Sequence, residues 1–241
     1  MILEEMSMQE FEQQIKKHRT VIIPFGSLEA HGPHLPLGTD TTEVYEIAKG
    51  VARCMPVFVA PPLPYGVCRS TSRHPGTVGI APDTLRQCVR DVVKGLYANG
   101  LRKFAIISGH ASSLHLSALQ EAGESLLEEM GPRRVTIAVI SAYDMAREAA
   151  GGVCETEDDS HAGEIETSLM LHFSPHLVRG RGKEEYPCFP HPILTTNKRK
   201  YWKNAVWGNP APASAPKGKI IAETLTQNLV RLIKRIDAFT G

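Results

Sequence analysis

The chain has 241 residues, and 27 lysines and arginines nearly balance 26 aspartates and glutamates, so the formal net charge is +1. This balance gives no electrostatic footprint for nucleic acid, and the 42% hydrophobic content excludes disorder as the main state. No apolar run is long enough for a transmembrane helix, and the acidic, amphipathic start does not resemble a signal peptide. The five widely spaced cysteines favour reduced thiols, so we expect a cytoplasmic protein without a nucleic-acid or membrane partner.

Short apolar runs alternate with amphipathic stretches along the chain. In chain order, the pattern predicts strand 20–25, helix 41–53, strand 56–60, helix 82–99, strand 103–107, helix 113–130, strand 134–140, and helices 160–173 and 219–238. This alternation predicts an α/β fold with a mainly parallel sheet covered by helices on both faces. We expect residues 1–241 to form a single domain, in which the Pro- and Gly-rich segment 176–216 is an irregular excursion that covers the site or an interface.

The loop after the first strand, GSLEAHGPHLPLGTD, concentrates potential metal ligands. Its glycines and prolines forbid a regular helix, so Glu29 and His31, two residues apart, can point the same way. Asp40 closes the loop where the next helix is expected to begin. Carboxylates with imidazole suit zinc, manganese or iron. Taken alone, the loop is equally compatible with Asp40 as a helix N-cap and structural histidines.

Three other polar segments also follow predicted strands. His110 stands in an SGH turn, where a lone histidine is more often structural, and His74 stands in HPGT. In SHAGEIETS, with a helix expected from residue 160, His161 and Glu164 share a helix face while Glu166 points elsewhere. Ligands of parallel α/β folds bind beyond the carboxyl ends of the strands. We therefore expect all four segments to meet at one edge of the sheet.

Charge arithmetic favours a pair of divalent metal ions over a single one. Glu29, Asp40 and Glu164 contribute three negative charges, which two divalent cations and one bridging hydroxide neutralise. His31 and His110 then serve as neutral ligands. Without metal, three clustered carboxylates would repel one another and raise their own pKa values.

Three motifs together resemble the creatininase (creatinine amidohydrolase) family: GSLEAHGPHLPLGTD, SGHASS and HAGEIETS, with softer matches at HPGT and WGNPAPASAPKGK. The resemblance implies a three-layer α/β/α sandwich, a dinuclear metal centre and a homo-oligomer, often a hexamer. The resemblance implies five metal ligands, with Glu29 and His110 on one ion, His31 on the other and Asp40 bridging the two; the fifth ligand is Glu164.

The last of these ligands departs from creatininase itself. Creatininases carry a glutamate two residues after the middle-motif histidine, and this chain has Ser112 there, so the ligand is assigned to Glu164. His161 matches the family's catalytic histidine. The candidates for substrate contact are His34, His74 and Ser112, although His34 is equally compatible with an orienting or a purely structural role.

The departures from the family argue against creatinine as the substrate. Ala111 replaces a tyrosine, and the chain's tryptophans, Trp202 and Trp207, come after the catalytic histidine rather than before it. We expect a small-molecule substrate with an amide-type, non-peptide C–N bond, in a cyclic amide or a formamide. A metal-activated hydroxide would attack it, and His161 would protonate the leaving nitrogen.

Two alternatives remain open at the level of sequence. One is a peptidase that trims a small modified peptide, as in mycofactocin maturation, and the other is a non-catalytic metal-binding scaffold. A nucleotide substrate, as in a formamide hydrolase of the family, would need basic residues at the site mouth. Arg69, Arg73 and the stretch 179–183 fit that need but equally fit plain surface. The cluster KRKYWK at 198–203 is interpreted as a solvated or interface surface.

Overall fold

The computed structural model describes residues 1–239 and has four strands and seven α-helices within them. In chain order these are α1 (Met8–Gln14), β1 (Thr20–Phe25), α2 (Thr39–Cys54), β2 (Phe58–Val59), α3 (Pro82–Ala98), β3 (Lys103–Ser108), α4 (Ser113–Met130), β4 (Thr136–Ser141), α5 (Ala142–Ala150), α6 (Glu164–Phe173) and α7 (Ala215–Ala238). None of the helices in this described part combines the length and apolarity needed to cross a bilayer.

The strands form one parallel sheet in the order β2-β1-β3-β4. Phe25 pairs with Ser108 and Ser108 with Ser141, so β1, β3 and β4 end level with one another. The loops that leave these strands therefore emerge at the same edge of the sheet, as expected from the sequence, although the segment SHAGEIETS follows α5 rather than a strand.

Strands β1, β2 and β3 are buried on both faces, whereas β4 at the edge of the sheet is only partly buried, and successive side chains of a strand enter different cores. Ile22 of β1 packs in the core formed with α2, α5, α6 and α7, whereas Val21 and Ile23 pack in the core formed with α3 and α4. Phe11 of α1 lies against the second core, 5.4 Å from the Phe58 ring. The predicted α/β fold, with helices on both faces of a parallel sheet, is thus confirmed.

Two helices differ from the prediction in ways that matter for the site. Helix α5 was not predicted: it is nine residues long and follows β4 without a loop. Alanines supply most of its buried face, and Ser141 caps it by accepting a hydrogen bond from Asp144 N. Helix α6 begins at Glu164 rather than near residue 160. The Asp159 carboxylate accepts hydrogen bonds from the backbone N–H groups of Glu164 and Ile165, which fixes the start of this helix.

Before α7 begins at Ala215, the segment 176–216 has no α-helix and no strand longer than an isolated bridge. It includes 3₁₀ helices at Pro175–Leu177 and Lys198–Lys200. Its Trp207 exchanges backbone hydrogen bonds with His161, at 3.0 Å and 2.7 Å. The excursion therefore docks on the loop that carries His161.

Candidate active site

Loops at the carboxyl edge of the sheet bring two carboxylates and two imidazoles into direct contact. Glu29 and His31 follow β1, Asp40 lies in the first turn of α2, and His110 follows β3. His110 Nδ1 lies 2.6 Å from Glu29 Oε1 and 3.0 Å from Asp40 Oδ2. His31 Nε2 lies 2.9 Å from Asp40 Oδ1. The two oxygens of Asp40 thus face different histidines, which is the arrangement that a ligand shared by two cations requires.

The other ring nitrogen of each histidine is held by the backbone. His31 Nδ1 donates to the Glu29 carbonyl oxygen at 3.0 Å, and His110 Nε2 donates to the Val67 carbonyl oxygen at 3.3 Å. A carbonyl can only accept, so each of these nitrogens carries the proton, and the nitrogen that faces the carboxylates is the one free to bind a cation. Metal-ligating histidines typically make such a second hydrogen bond.

Glu166, not Glu164, joins this cluster. Glu166 Oε2 lies 3.8 Å from His31 Nε2 and accepts from the backbone N–H of Ala162. Glu164 lies elsewhere: its Oε1 accepts from Lys217 Nζ at 2.6 Å, and its Oε2 accepts from the backbone N–H groups of Glu155 and Thr156. The expectation that Glu164 shares the cluster while Glu166 points away is the reverse of what the structure shows.

The local backbone before α6 explains this difference. Residues 161–163 precede the helix, and Ala162 has a φ of +50°, so the helical i, i+3 spacing does not apply to His161 and Glu164. A Cβ at Gly163 would collide with the Asp159 carboxylate, so the turn needs glycine there. The carboxylate that reaches His31 is therefore the one placed two residues into the helix.

Burial and charge together set the protonation of the cluster. Burial disfavours the charged forms, but His110 lowers the pKa of Glu29 to about 2, and Asp40, Glu166 and Glu29 raise the pKa of His31 to about 10. Burial raises the pKa of Glu166, to about 8, with a further contribution from Asp40. In the absence of metal, the side chains of this cluster hold extra protons, and these protons balance the negative charges of its carboxylates. Divalent cations can replace those protons.

The donor atoms fall into groups small enough for single ions. His31, Asp40 and Glu166 offer ligand atoms within 4.8 Å of one another. Glu29 and His110 form a second such group that also contains Cys68, and Glu29 and His31 form a third with His161. Burial raises the pKa of the Cys68 thiol, which disfavours the thiolate form needed for binding a metal. Oxygen and imidazole donors in these numbers fit zinc, manganese or iron.

His161 lies beside the cluster in a neutral form. Its ring centroid lies 4.2 Å from that of His31, and the Trp202 ring meets it edge-on at 5.2 Å. Burial, reinforced by the positive charge of His31, lowers its pKa to about 4. Because Nε2 donates to the Ala30 carbonyl oxygen at 2.9 Å, Nδ1 is the basic nitrogen of the ring.

A pocket of about 140 Å³ opens on these groups. Its lining includes Glu29, Asp40, His110, Ser112, His161 and Glu166, with a roof made by Phe189, Trp202 and Trp207 of the excursion.

Of the three residues expected to contact substrate, the structure places Ser112 in this lining. His34 and His74 have other partners among the described residues. His34 Nε2 lies 2.9 Å from Thr167 Oγ1, and His74 Nε2 donates to the Trp202 carbonyl oxygen at 2.6 Å. His74 therefore supports the roof of the pocket from behind.

Sequence reasoning missed Glu166, the two hydroxyls that hold the cluster and the tryptophans of the roof. Ser27 Oγ donates to Asp40 Oδ2 at 2.7 Å, and Thr71 Oγ1 donates to Glu29. The HAGEIE motif marked the region of Glu166, but the expected helical spacing and the family resemblance favoured Glu164. The tryptophans lie some 40 residues from His161 along the chain, and no local pattern links them to it.

Comparisons with known proteins find similar proteins along most of the chain. A family model described as creatininase, creatinine amidohydrolase, matches residues 4–233. A mycofactocin precursor peptide peptidase of Mycobacterium tuberculosis is 29% identical over 232 residues, covering 90% of this chain and 85% of the peptidase. A creatinine amidohydrolase of Pseudomonas putida is 25% identical over 248 residues, covering 95% of each chain.

Solved structures show the same fold. A crystal structure of creatinine amidohydrolase (creatininase) superposes with a TM-score of 0.86 at 23% identity, covering 97% of this chain and 96% of that one. Two further solved creatininases, described as a zinc–zinc form and a manganese form, have TM-scores of 0.84 and 0.83 at 23% and 24% identity, each covering 97% of both chains. The family model spans nearly the whole chain, and we conclude that this protein belongs to the creatininase family.

Proposed function

We propose that this protein is a metal-dependent hydrolase that cleaves an amide-type C–N bond in a small molecule, either a cyclic amide or a formamide. The observation that carries the proposal is the buried set of carboxylates and imidazoles in which Asp40 contacts His31 with one oxygen and His110 with the other, beside a neutral His161. No simpler role accounts for so many buried carboxylates and imidazoles in one place, since burying them without counter-charges is costly.

We assign the ligands of two divalent ions, of zinc, manganese or iron, to five residues: Glu29, His31, Asp40, His110 and Glu166. Three ionised carboxylates bring three negative charges against four positive ones, which leaves the site attractive to one more anion. When bound, the ions supply a water of lowered pKa and a Lewis acid for the substrate carbonyl. Two of the similar creatininase structures are described as a zinc–zinc form and a manganese form, which supports this choice of metals.

His161 is the proposed catalytic base and acid. With its pKa lowered to about 4, the ring is neutral near pH 7, and Nδ1 can take a proton from the attacking water. The hydrogen bond from Nε2 to the Ala30 carbonyl oxygen and the edge of Trp202 hold the ring in place. Nδ1 then returns the proton to the leaving nitrogen, so the products separate as neutral amine and acid.

The roof of Phe189, Trp202 and Trp207 sets the size of the reacting group. It leaves a pocket of about 140 Å³, which suits a formyl group or the edge of a small ring better than a folded peptide. The same aromatic side chains exclude water, which strengthens the electrostatic effects inside.

The experiment has two parts. Metal content is measured on the purified protein, and the metal-loaded enzyme is screened against formamides, lactams and hydantoins beside dipeptides, with His161→Ala as the catalytic control. Hydrolysis of a non-peptide amide that His161→Ala abolishes supports the proposal. A protein that binds no divalent metal, or hydrolysis that the variant retains in full, contradicts it.

A second candidate function is trimming of a small peptide. The observation that favours it is the 29% identity to the mycofactocin precursor peptide peptidase, and the dipeptide arm of the screen tests it directly. A metal-loaded protein that hydrolyses nothing would instead support a non-catalytic scaffold.

We further expect a cytoplasmic homo-oligomer, with a hexamer as the expected size, which light scattering of the purified protein checks. We expect neither nucleic acid nor membrane as partners.

A further inference from the structure

A second pocket, of about 500 Å³, has a strongly basic lining. Arg69, Arg73 and Lys198 supply three positive charges, and the hydroxyls of Thr195 and Thr196 add hydrogen-bond donors, whereas the Ser72 hydroxyl donates to the Arg69 carbonyl oxygen. No carboxylate belongs to this lining. The pocket therefore offers positive charges and hydrogen-bond donors without a carboxylate, so it is complementary to an anion.

The cations of this pocket form no ion pairs with other described residues. Within residues 1–239, none of Arg69, Arg73 and Lys198 pairs with a carboxylate in a salt bridge. By contrast, Arg86 and Arg90 on α3 each pair with a glutamate of α4. Unpaired cations gathered in a concave surface raise the local concentration of small anions.

One turn of chain connects this basic pocket to the candidate active site. In the loop 69–73, Ser70 and Thr71 line the active-site pocket, whereas Arg69 and Arg73 line the basic one. Thr71 also donates to the proposed ligand Glu29. A molecule bound at the metal centre thus has the basic pocket as its neighbour across this loop.

Lys198 makes the same connection from the excursion. Its Nζ donates to Ser70 Oγ at 3.0 Å and lies 5.2 Å from the ring centroid of Phe189, which belongs to the roof of the active site. The next two residues of its 3₁₀ helix, Arg199 and Lys200, are exposed and lie outside both linings. From the sequence, the basic cluster at 198–203 is interpreted as a solvated or interface surface. In the structure, Lys198 lines the basic pocket, whereas Arg199 and Lys200 are exposed.

We propose that the substrate carries an acidic group, a carboxylate or a phosphate, and that Arg69, Arg73 and Lys198 bind it while the C–N bond lies at the metal centre. This inference rests on the proposed function for the position of the scissile bond, but the anion site itself is defined by its own residues. The net charge of the whole chain is near zero, so the positive charge of this pocket is local. A local positive charge favours a small anion over a polyanion.

Binding of small anions tests the site without requiring turnover. Inorganic phosphate and succinate are titrated by calorimetry at low salt into the metal-loaded full chain, into the triple variant Arg69→Ala/Arg73→Ala/Lys198→Ala, and into the control Arg199→Ala/Lys200→Ala. We expect the triple variant to bind the preferred anion about tenfold more weakly and the control to match the wild type. The anion that shows this difference identifies the source as phosphate or carboxylate.

Equal binding of both anions to all three proteins overturns the proposal. Binding of single-stranded RNA that depends on the three cations, without any dependence for the small anions, also overturns it, since it assigns them to a polyanion surface. Thermal unfolding of each variant verifies that it is folded before the titration.

A matched substrate pair adds the kinetic readout. N-formylglycine and N-formylglycinamide differ only in the acidic group, and the ratio of their kcat/KM values should fall about tenfold in the triple variant, through KM. An unchanged ratio overturns the proposal. Failure of every amide to react contradicts the proposed function instead, and the titrations still decide the anion site.

Discussion

The sharpest prediction concerns two glutamates in the first turn of the same helix. Glu166→Gln and Glu164→Gln are the same chemical change, two residues apart, but the structure places the two carboxylates in different environments. We expect Glu166→Gln to lose tight binding of one of the two metal ions. Glu164→Gln should retain both.

The magnitude follows from what each carboxylate contacts. Altering a group that only orients a metal ligand costs 10–100-fold in affinity, so loss of the ligand charge at Glu166 should cost more than about 100-fold, or about 2.7 kcal/mol. Glutamine has nearly the same shape and still accepts from Ala162 N, so the fold is expected to persist. Glu164→Gln removes a charge that faces Lys217, which keeps Glu155 as a partner, and should cost stability of about 1–3 kcal/mol instead.

The assay is metal stoichiometry after dialysis at a buffered free-metal concentration, together with the unfolding free energy in urea. We expect opposite results for the two variants. Glu166→Gln should bind one ion fewer and keep most of its stability when unfolding is measured at saturating metal. Glu164→Gln should be less stable but bind both ions. If Glu164→Gln loses the ion and Glu166→Gln keeps it, the argument from the helix start is refuted.

Three further predictions address the base, the metals and the helix start. His161→Gln should lower kcat by about 10²–10⁴-fold with unchanged metal content by elemental analysis; a loss of metal would make His161 a ligand instead. Chelation of the metal ions should lower Tm, measured by calorimetry, by about 10–20 °C. The reference is protein with each ion at about 100 times its Kd, and an unchanged Tm would contradict the metal site. Burial raises the pKa of Asp159 to about 6, above its unfolded value, so protonation stabilises the fold below about pH 4 and that stabilisation is lost as the pH rises through 6. Asp159→Asn should therefore gain stability relative to the wild type by up to about 3 kcal/mol between pH 4 and pH 7 in urea unfolding, and a difference independent of pH would refute this.

Much of the fold was predictable because its causes are local. The apolar runs of β1 and β3 and the apolar positions of α3 and α4 follow from residues that are close along the chain, and their bounds differ from the prediction by no more than a residue. Helix α5 escaped prediction because it is short and begins directly after β4, with no loop to mark its start. Strand β2 is shorter than predicted, with only Phe58 and Val59 paired to β1.

The first motif of the site was predictable for the same reason. Glu29, His31 and Asp40 lie in one glycine- and proline-rich loop, and His110 follows a strand that pairs in level register with β1. A parallel sheet necessarily brings such loops together. The structure accordingly places these four side chains in one cluster, as the sequence led us to expect.

The sequence by itself determined the composition of this centre and the edge of the sheet where it forms. The tertiary structure alone decided which glutamate joins it and what covers it. The choice of Glu166 depends on where α6 begins, which the Asp159 carboxylate and the pairing of His161 with Trp207 decide. The roof depends on a contact across some 40 residues of chain. Local spacing cannot encode such contacts, because they exist only once the excursion has folded back over the sheet.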